Sequence, residues 1–166
     1  HKDANGKIHV KNNNFDWVAT DSNYFDGQWH HFALVLNRKA NTTVYVDGNQ
    51  QKTTPSSNFA QFGGANVYLG ALGYYSGSIF QVENYLQGNL DEFRFWNTAR
   101  LVEQVKRDKR NRLKGDEGGL LSYVPFEEYS ENNGVPLLTQ VMKDIADTSH
   151  SVTPKNSAAF SALSPT

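Results

Sequence analysis

Brief apolar and alternating runs, cut by turn-forming clusters, recur along most of the chain. Residues 7–10 and 15–19 read as short strands on either side of Lys11-Asn12-Asn13-Asn14, a polar turn cluster. After the turn signal Asp26-Gly27, residues 31–36 are apolar at nearly every position, the pattern of a strand covered on both faces. Residues 38–42 are polar and read as a turn. Residues 43–46 are β-branched and aromatic, with Val44 and Val46 on one face and Tyr45 on the other. Asp47-Gly48 favours a tight hairpin, because glycine accepts positive φ at no steric cost. The returning strand is then residues 50–54, polar enough for a sheet edge and stopped by Pro55.

Farther along, residues 67–72 predict a strand and residues 73–87 a long connection rich in Gly, Ser and Tyr. Residues 90–96 predict a strand that alternates Phe93 and Phe95 with Glu92 and Arg94. Asn97 or Thr98 is placed to cap a helix with an apolar stripe at Leu101, Val102 and Val105 and charged residues as far as Arg112. Gly115 stands where that helix would stop, and residues 120–126 predict one more strand, ended around Pro125. Closely spaced strands without βαβ alternation predict an all-β fold, an antiparallel β-sandwich with one short surface helix. The sandwich is expected over residues 1–128. Residues 129–166, polar and turn-rich, read as an irregular C-terminal extension in which only residues 135–142 and 158–163 are apolar enough to pack, in the form of short strands.

Composition narrows the function classes. Aromatic residues make up 13% of 166 residues, which suits strands better than a helical bundle. A net charge of -1 removes any electrostatic reason to expect nucleic acid as a partner. The absence of cysteine excludes disulfides, thiolate metal sites and cysteine nucleophiles. No apolar run approaches the roughly 18 residues that span a bilayer, so no membrane span is expected. The opening His1-Lys2-Asp3-Ala4-Asn5-Gly6 is polar rather than leader-like and lacks an initiating Met, as in a mature product or a fragment.

Several blocks carry a family resemblance. Gly27-Gln28-Trp29-His30-His31-Phe32-Ala33 is similar to the G-x-W-H-H-V-A strand of LamG-like (laminin G, pentraxin and concanavalin A-like) domains. Tyr45-Val46-Asp47-Gly48 resembles their Y-V-D-G hairpin, and Val67-Tyr68-Leu69-Gly70 their l-x-I/L-G strand. Gly88-Asn89-Leu90-Asp91-Glu92-Phe93-Arg94-Phe95-Trp96-Asn97 resembles F-x-G-x-I-D-E-V-R-I-W-N-x-A, and Thr98-Ala99-Arg100-Leu101 resembles the exit into a short helix. The blocks stand in the family's order. The resemblance implies a jelly-roll β-sandwich and a non-catalytic recognition or adhesion module of a secreted or cell-surface protein, with a glycan or a surface protein as ligand. The alternatives are a structural spacer of a multidomain protein and a degenerate glycoside hydrolase domain. The family's opening Y-x-F-D segment does not precede these blocks, whereas Gly119-Leu120-Leu121-Ser122-Tyr123-Val124-Pro125-Phe126-Glu127-Glu128 resembles it after the helix. The expectation is that the opening strands were removed, are disordered, or are supplied by a strand-complementing partner chain or oligomer.

Candidate chemistry is weighed against plain packing. Trp29 and Trp96 could offer platforms to a sugar face, but indole burial favours the core for both. His30 and His31 are adjacent, so in a strand they point to opposite faces, and His9 is distant in sequence; hydrogen-bonded histidines are expected there rather than zinc ligands. A retaining glycosidase needs two carboxylates about 5 Å apart on one surface. Asp91 and Glu92 are adjacent, and the E-x-D-x-E strand of the glucanases that share the fold is missing. No catalytic residue is therefore assigned. The resemblance also implies calcium, for which Asp26, Asp47, Asn89 and Asp91 supply oxygen donors near turns; the competing reading makes them turn-stabilising side chains. Tyr74, Tyr75 and Tyr85, in the Gly- and Ser-rich connection with Phe80, are the expected ligand-binding residues, unless that segment folds back over its own aromatic rings. The basic residues of the helix interleave with Glu103 and Asp108, as on any solvated helix face.

Overall fold

The hairpin that the sequence marks most clearly carries the buried cluster of one of the chain's two units. A computed structural model describes residues 1–11, 15–59, 69–76, 78–83, 85–126, 131–132, 135–136, 142–149 and 151–152. Its elements are β1 (His9–Lys11), β2 (Asp16–Val18), β3 (Phe32–Leu36), β4 (Asn41–Val46), β5 (Asn49–Pro55), β6 (Leu72–Ser76), β7 (Ile79–Glu83), β8 (Phe93–Trp96), α1 (Val102–Asp108) and β9 (Leu120–Val124). Four two-residue strands follow: β10 (Glu131–Asn132), β11 (Val135–Pro136), β12 (Met142–Lys143) and β13 (Ser151–Val152). Among the described residues every strand pairing is antiparallel. The chain divides into one unit of His1–Tyr85 with Ala99–Asn111 and a second of Leu86–Thr98 with Arg112–Thr166.

In the first unit β3, β4 and β5 form a sheet in that order, so among the described residues β5 lies at an edge, as its polarity predicts. Asp47 and Gly48 both have positive φ, 53° and 77°, the backbone of a type I′ turn, whose twist matches the strands it joins. Val44 and Val46 are fully buried against Ala19, with Ile8, Val10, Trp17 and Tyr24 packed around them. Tyr45, on the opposite face, is 9% exposed, so β4 is covered on both sides. The β1–β2 hairpin is tied down by Ala19 N–H donating to Ile8 O at 2.8 Å and Ile8 N–H to Thr20 Oγ1 at 2.9 Å.

Several expectations are corrected. β3 is not covered on both faces. Phe32 and Leu34 pair with Val46 and Val44 and so share the core face, yet they are 43% and 36% exposed. Among the described residues, the side chains packed against Val44 and Val46 are Ala19, Ile8, Val10, Trp17 and Tyr24, none of them on β3. Trp29 is not a core residue but is 37% exposed, because it sits in the turn segment before β3 rather than on a pleated strand. Residues 73–87 are not one long loop. Leu72–Ser76 and Ile79–Glu83 form a hairpin in which Ser76 opposes Ile79, so two residues close it. The helix is shorter than its charge pattern suggests and starts later. Leu101, 65% exposed, takes the cap position, where its N–H donates to Gln104 Oε1 at 2.8 Å. The helical stripe is Val102, Val105 and Asp108. The strand expected from residue 90 begins at Phe93, because Glu92 has φ 54° and breaks the extended run. The expected features at residues 12–14, 67–68 and 158–163 lie outside the described residues.

The second unit pairs β8 with β9. Tyr123 and Val124 are buried, and Asp144 Oδ1 accepts from the N–H groups of Tyr123, Ala146 and Asp147 at 2.8, 2.9 and 3.2 Å. β10 pairs with β11 and β12 with β13.

Candidate functional site

The two motif halves of the first unit meet through one histidine. His30 sits just before β3, and Asp47 opens the β4–β5 turn. His30 Nδ1 bonds Asp47 Oδ2 at 2.8 Å, and Nε2 lies 3.2 Å from Asp26 Oδ1. Asp47 Oδ1 accepts from His31 N–H at 2.9 Å, while Asp47 N–H donates to His31 O at 2.8 Å. Lys109, just past α1, donates from Nζ to Asp47 O at 2.7 Å. The carboxylate of Asp47 raises the pKa of His30, burial opposes this, and Asp26 adds to it. Asp26 is held below the usual carboxylate range first by the Gln28 N–H and then by His30. Burial pushes Asp47 upward, but the bonds from His30 and the His31 N–H outweigh it and its pKa falls.

This arrangement bears on calcium. Both oxygens of Asp47 are already engaged, and one oxygen of Asp26 serves Gln28 and His30. As arranged, the pair suits an imidazolium, and a hard cation bound there would have to displace His30. Asn89 and Asp91 belong to the other unit, before β8, and Asp91 Oδ1 accepts from the Glu92 N–H at 2.9 Å. Glu92 bonds Arg94 and accepts from the Tyr123 hydroxyl on both oxygens at 3.0 Å. Burial and then the Glu92 carboxylate push the Tyr123 pKa up.

The tyrosines expected to bind ligand are carried by the β6–β7 hairpin. Tyr74 and Tyr75 occupy adjacent positions on β6, opposite Gln81 and Phe80. Tyr85 follows β7, is 52% exposed, and donates from its hydroxyl to Val82 O at 3.3 Å. Ser76, Ser78, Ile79, Gln81 and Glu83 of the same hairpin are all exposed.

A groove of about 290 Å³ lies on the other face of the β3–β5 sheet. Val35, Thr43 and Tyr45 form its floor, Asn37 and Asn41 one wall, and the segment from Ala99 to Glu103 the other. Arg100, on that wall, reaches Asp108 Oδ2 at 2.6 Å, and Arg107 Nε donates to Asp108 Oδ1 at 2.7 Å. Burial raises the Asp108 pKa, but the two guanidinium groups outweigh it and lower it. The sequence reading missed this groove. The available signal was Tyr45, placed opposite Val44 and Val46 and so in need of cover from an apolar stripe elsewhere. The His30 link was partly legible, since Asp26 and His30 stand four apart, but Asp47 is distant in sequence.

A family model described as the concanavalin A-like lectin/glucanases superfamily matches residues 2–106. No curated protein and no solved structure gives a match.

Proposed function

Because the chain belongs to the concanavalin A-like lectin/glucanases superfamily, whose LamG-like members are binding or structural modules common in extracellular proteins, we propose that it is a non-catalytic recognition module of a secreted or cell-surface protein. Its ligand is a glycan or a surface protein. The observation that carries this reading is the β6–β7 hairpin, which places Tyr74 and Tyr75 side by side on β6 and is followed by Tyr85, 52% exposed. A tyrosine ring stacks on the apolar face of a pyranose while its hydroxyl hydrogen-bonds a sugar hydroxyl. The recognition module is residues 1–128, and residues 129–166 are its extension. Calcium, in this reading, is bound by Asp26 and Asp47 in exchange for His30, or by Asn89 and Asp91.

A glycan array followed by calorimetry tests the reading, with and without calcium. At least one glycan class is expected to bind, and Tyr74→Ala, Tyr75→Ala or Tyr85→Ala should weaken it by about tenfold, the equivalent of a lost stacking contact of roughly 1.4 kcal/mol. Full affinity in all three variants would remove the hairpin from the site. No glycan bound at any calcium level would leave a surface-protein ligand or the spacer reading.

The exposed Phe32 and Leu34 favour one addition. β3 is an edge of its sheet among the described residues, and the apolar row along it suits a strand-complementing partner. We propose a second copy of this chain as that partner.

A further inference from the structure

We propose that His1, His9 and Asp16 form a binding site for a divalent transition metal, with zinc the best fit. These residues are remote from the tyrosine hairpin, and the proposal does not rest on the recognition reading.

Strand pairing brings them together. His9 N–H donates to His1 O at 2.7 Å and His1 N to His9 O at 3.1 Å, so the two residues form a hydrogen-bonded antiparallel pair. Directly opposite residues of such a pair project to the same face. Their rings accordingly lie 4.7 Å apart. On the other side of His9, β1 pairs with β2 so that Lys11 opposes Asp16 and His9 opposes Val18. His9 and Asp16 are therefore diagonal neighbours on one face, close enough for side-chain contact. His9 Nδ1 is 2.7 Å from Asp16 Oδ1, and His1 Nε2 is 3.9 Å from Asp16 Oδ2. The ligand atoms of all three residues lie within 4.8 Å of one another.

Tetrahedral zinc, with bonds near 2.1 Å, holds neighbouring ligand atoms roughly 3.3 Å apart. The His1 side chain, 42% exposed, has a short distance to close, and the 2.7 Å hydrogen bond between His9 Nδ1 and Asp16 Oδ1 must open to admit the ion. Two imidazoles and one carboxylate suit zinc, copper or nickel, whereas calcium calls for an all-oxygen shell.

The far side of His9 supplies an independent observation. Among the described residues its Nε2 is buried without a hydrogen-bond partner, and the Asp3 carboxylate stands 3.6 Å away. Asp3 is held in place by the N–H groups of Asn5 and Lys7, at 2.8 and 3.0 Å. A metal on Nδ1 requires the ring proton on Nε2, and Asp3 is the carboxylate positioned to receive it. A metal-bound histidine backed by a carboxylate on its other nitrogen is the usual means of fixing ring orientation. Three protein ligands leave a fourth position for water or an incoming carboxylate or imidazole. Occupied, the site pins residues 1–9 to β2.

The test is calorimetric titration of the full chain with zinc chloride, with calcium chloride as the contrast and circular dichroism to follow unfolding. One zinc per chain is expected, with its affinity unchanged in excess calcium chloride, and a rise in Tm of roughly 5–10 °C at a hundredfold excess over Kd. His1→Ala, which removes an exposed side chain and leaves the fold in place, and Asp16→Asn should each abolish the binding. His30→Ala, on the other histidine cluster, should bind zinc as the parent does. The proposal is overturned if zinc gives no heat, if His1→Ala and Asp16→Asn bind it unchanged, or if His30→Ala loses it.

Discussion

At the residue scale, two of the candidate oxygen donors, Asp26 and Asp47, are joined by one histidine. His30 links Asp26 to Asp47 and so joins the start of β3 to the β4–β5 turn. Its charge state should be visible in stability. The His30 pKa is raised above its ordinary 6.5, so the link contributes fully below 6.5 and is lost as pH rises through the raised value. Asp26 and Asp47 lie below their ordinary 3.8, so on the acid side the contribution is lost as pH falls through their lowered values. His30→Gln is expected to reduce stability most between these limits and to have progressively less effect above them. Denaturant titrations from pH 4 to pH 9 check this, and an effect of the substitution that does not vary with pH would sink the assignment. Sequence alone could pair Asp26 with His30 by spacing. Asp47 joins them only because the β3–β4 register brings its turn alongside His31.

At the element scale, the β4–β5 hairpin was legible because its determinants are local. Alternation set the faces of Val44, Tyr45 and Val46, and Asp47-Gly48 set the turn. Gly48 shows how far the local requirement reaches. Its φ is 77°, and a Cβ there would lie 2.9 Å from Lys106 Cγ and 3.5 Å from the Lys106 Cα. Gly48→Ala should cost about 1–2 kcal/mol for the left-handed backbone alone, with further loss where α1 packs on the turn. Chemical denaturation measures this; a cost near zero would mean that the turn is not type I′ in solution. The β6–β7 hairpin was hidden because Gly and Ser composition reads as loop, although Tyr and Phe at paired positions favour strands. The helix start was misplaced because Asn97 and Thr98 are good caps in the abstract. In the structure they flank β8, where Asn97 N–H donates to Gly119 O at 2.9 Å, and Leu101 begins α1 instead.

At the scale of the whole molecule, β3 has consequences for association. Apolar side chains on an edge strand favour pairing with another strand. With a second copy on β3, light scattering should give a mass above the 18.6 kDa of one chain, and Phe32→Ser with Leu34→Ser should return it to that value. A parent protein that stays at 18.6 kDa across concentrations would remove the second copy.

The sequence by itself determined the β4–β5 hairpin with its tight Asp47-Gly48 turn, and the family, because each depends on neighbours a few residues apart or on motif blocks in a fixed order. Only the tertiary structure decided which apolar faces are covered. Val44 is buried and its partner Leu34 is not, although the two look alike in sequence, because burial depends on what packs over each strand. For the same reason Asp108, written as one more charge on a solvated helix, proved to be a buried carboxylate held by two arginines. His1, His9 and Asp16 follow no recognisable spacing in the chain. Strand register alone placed them side by side.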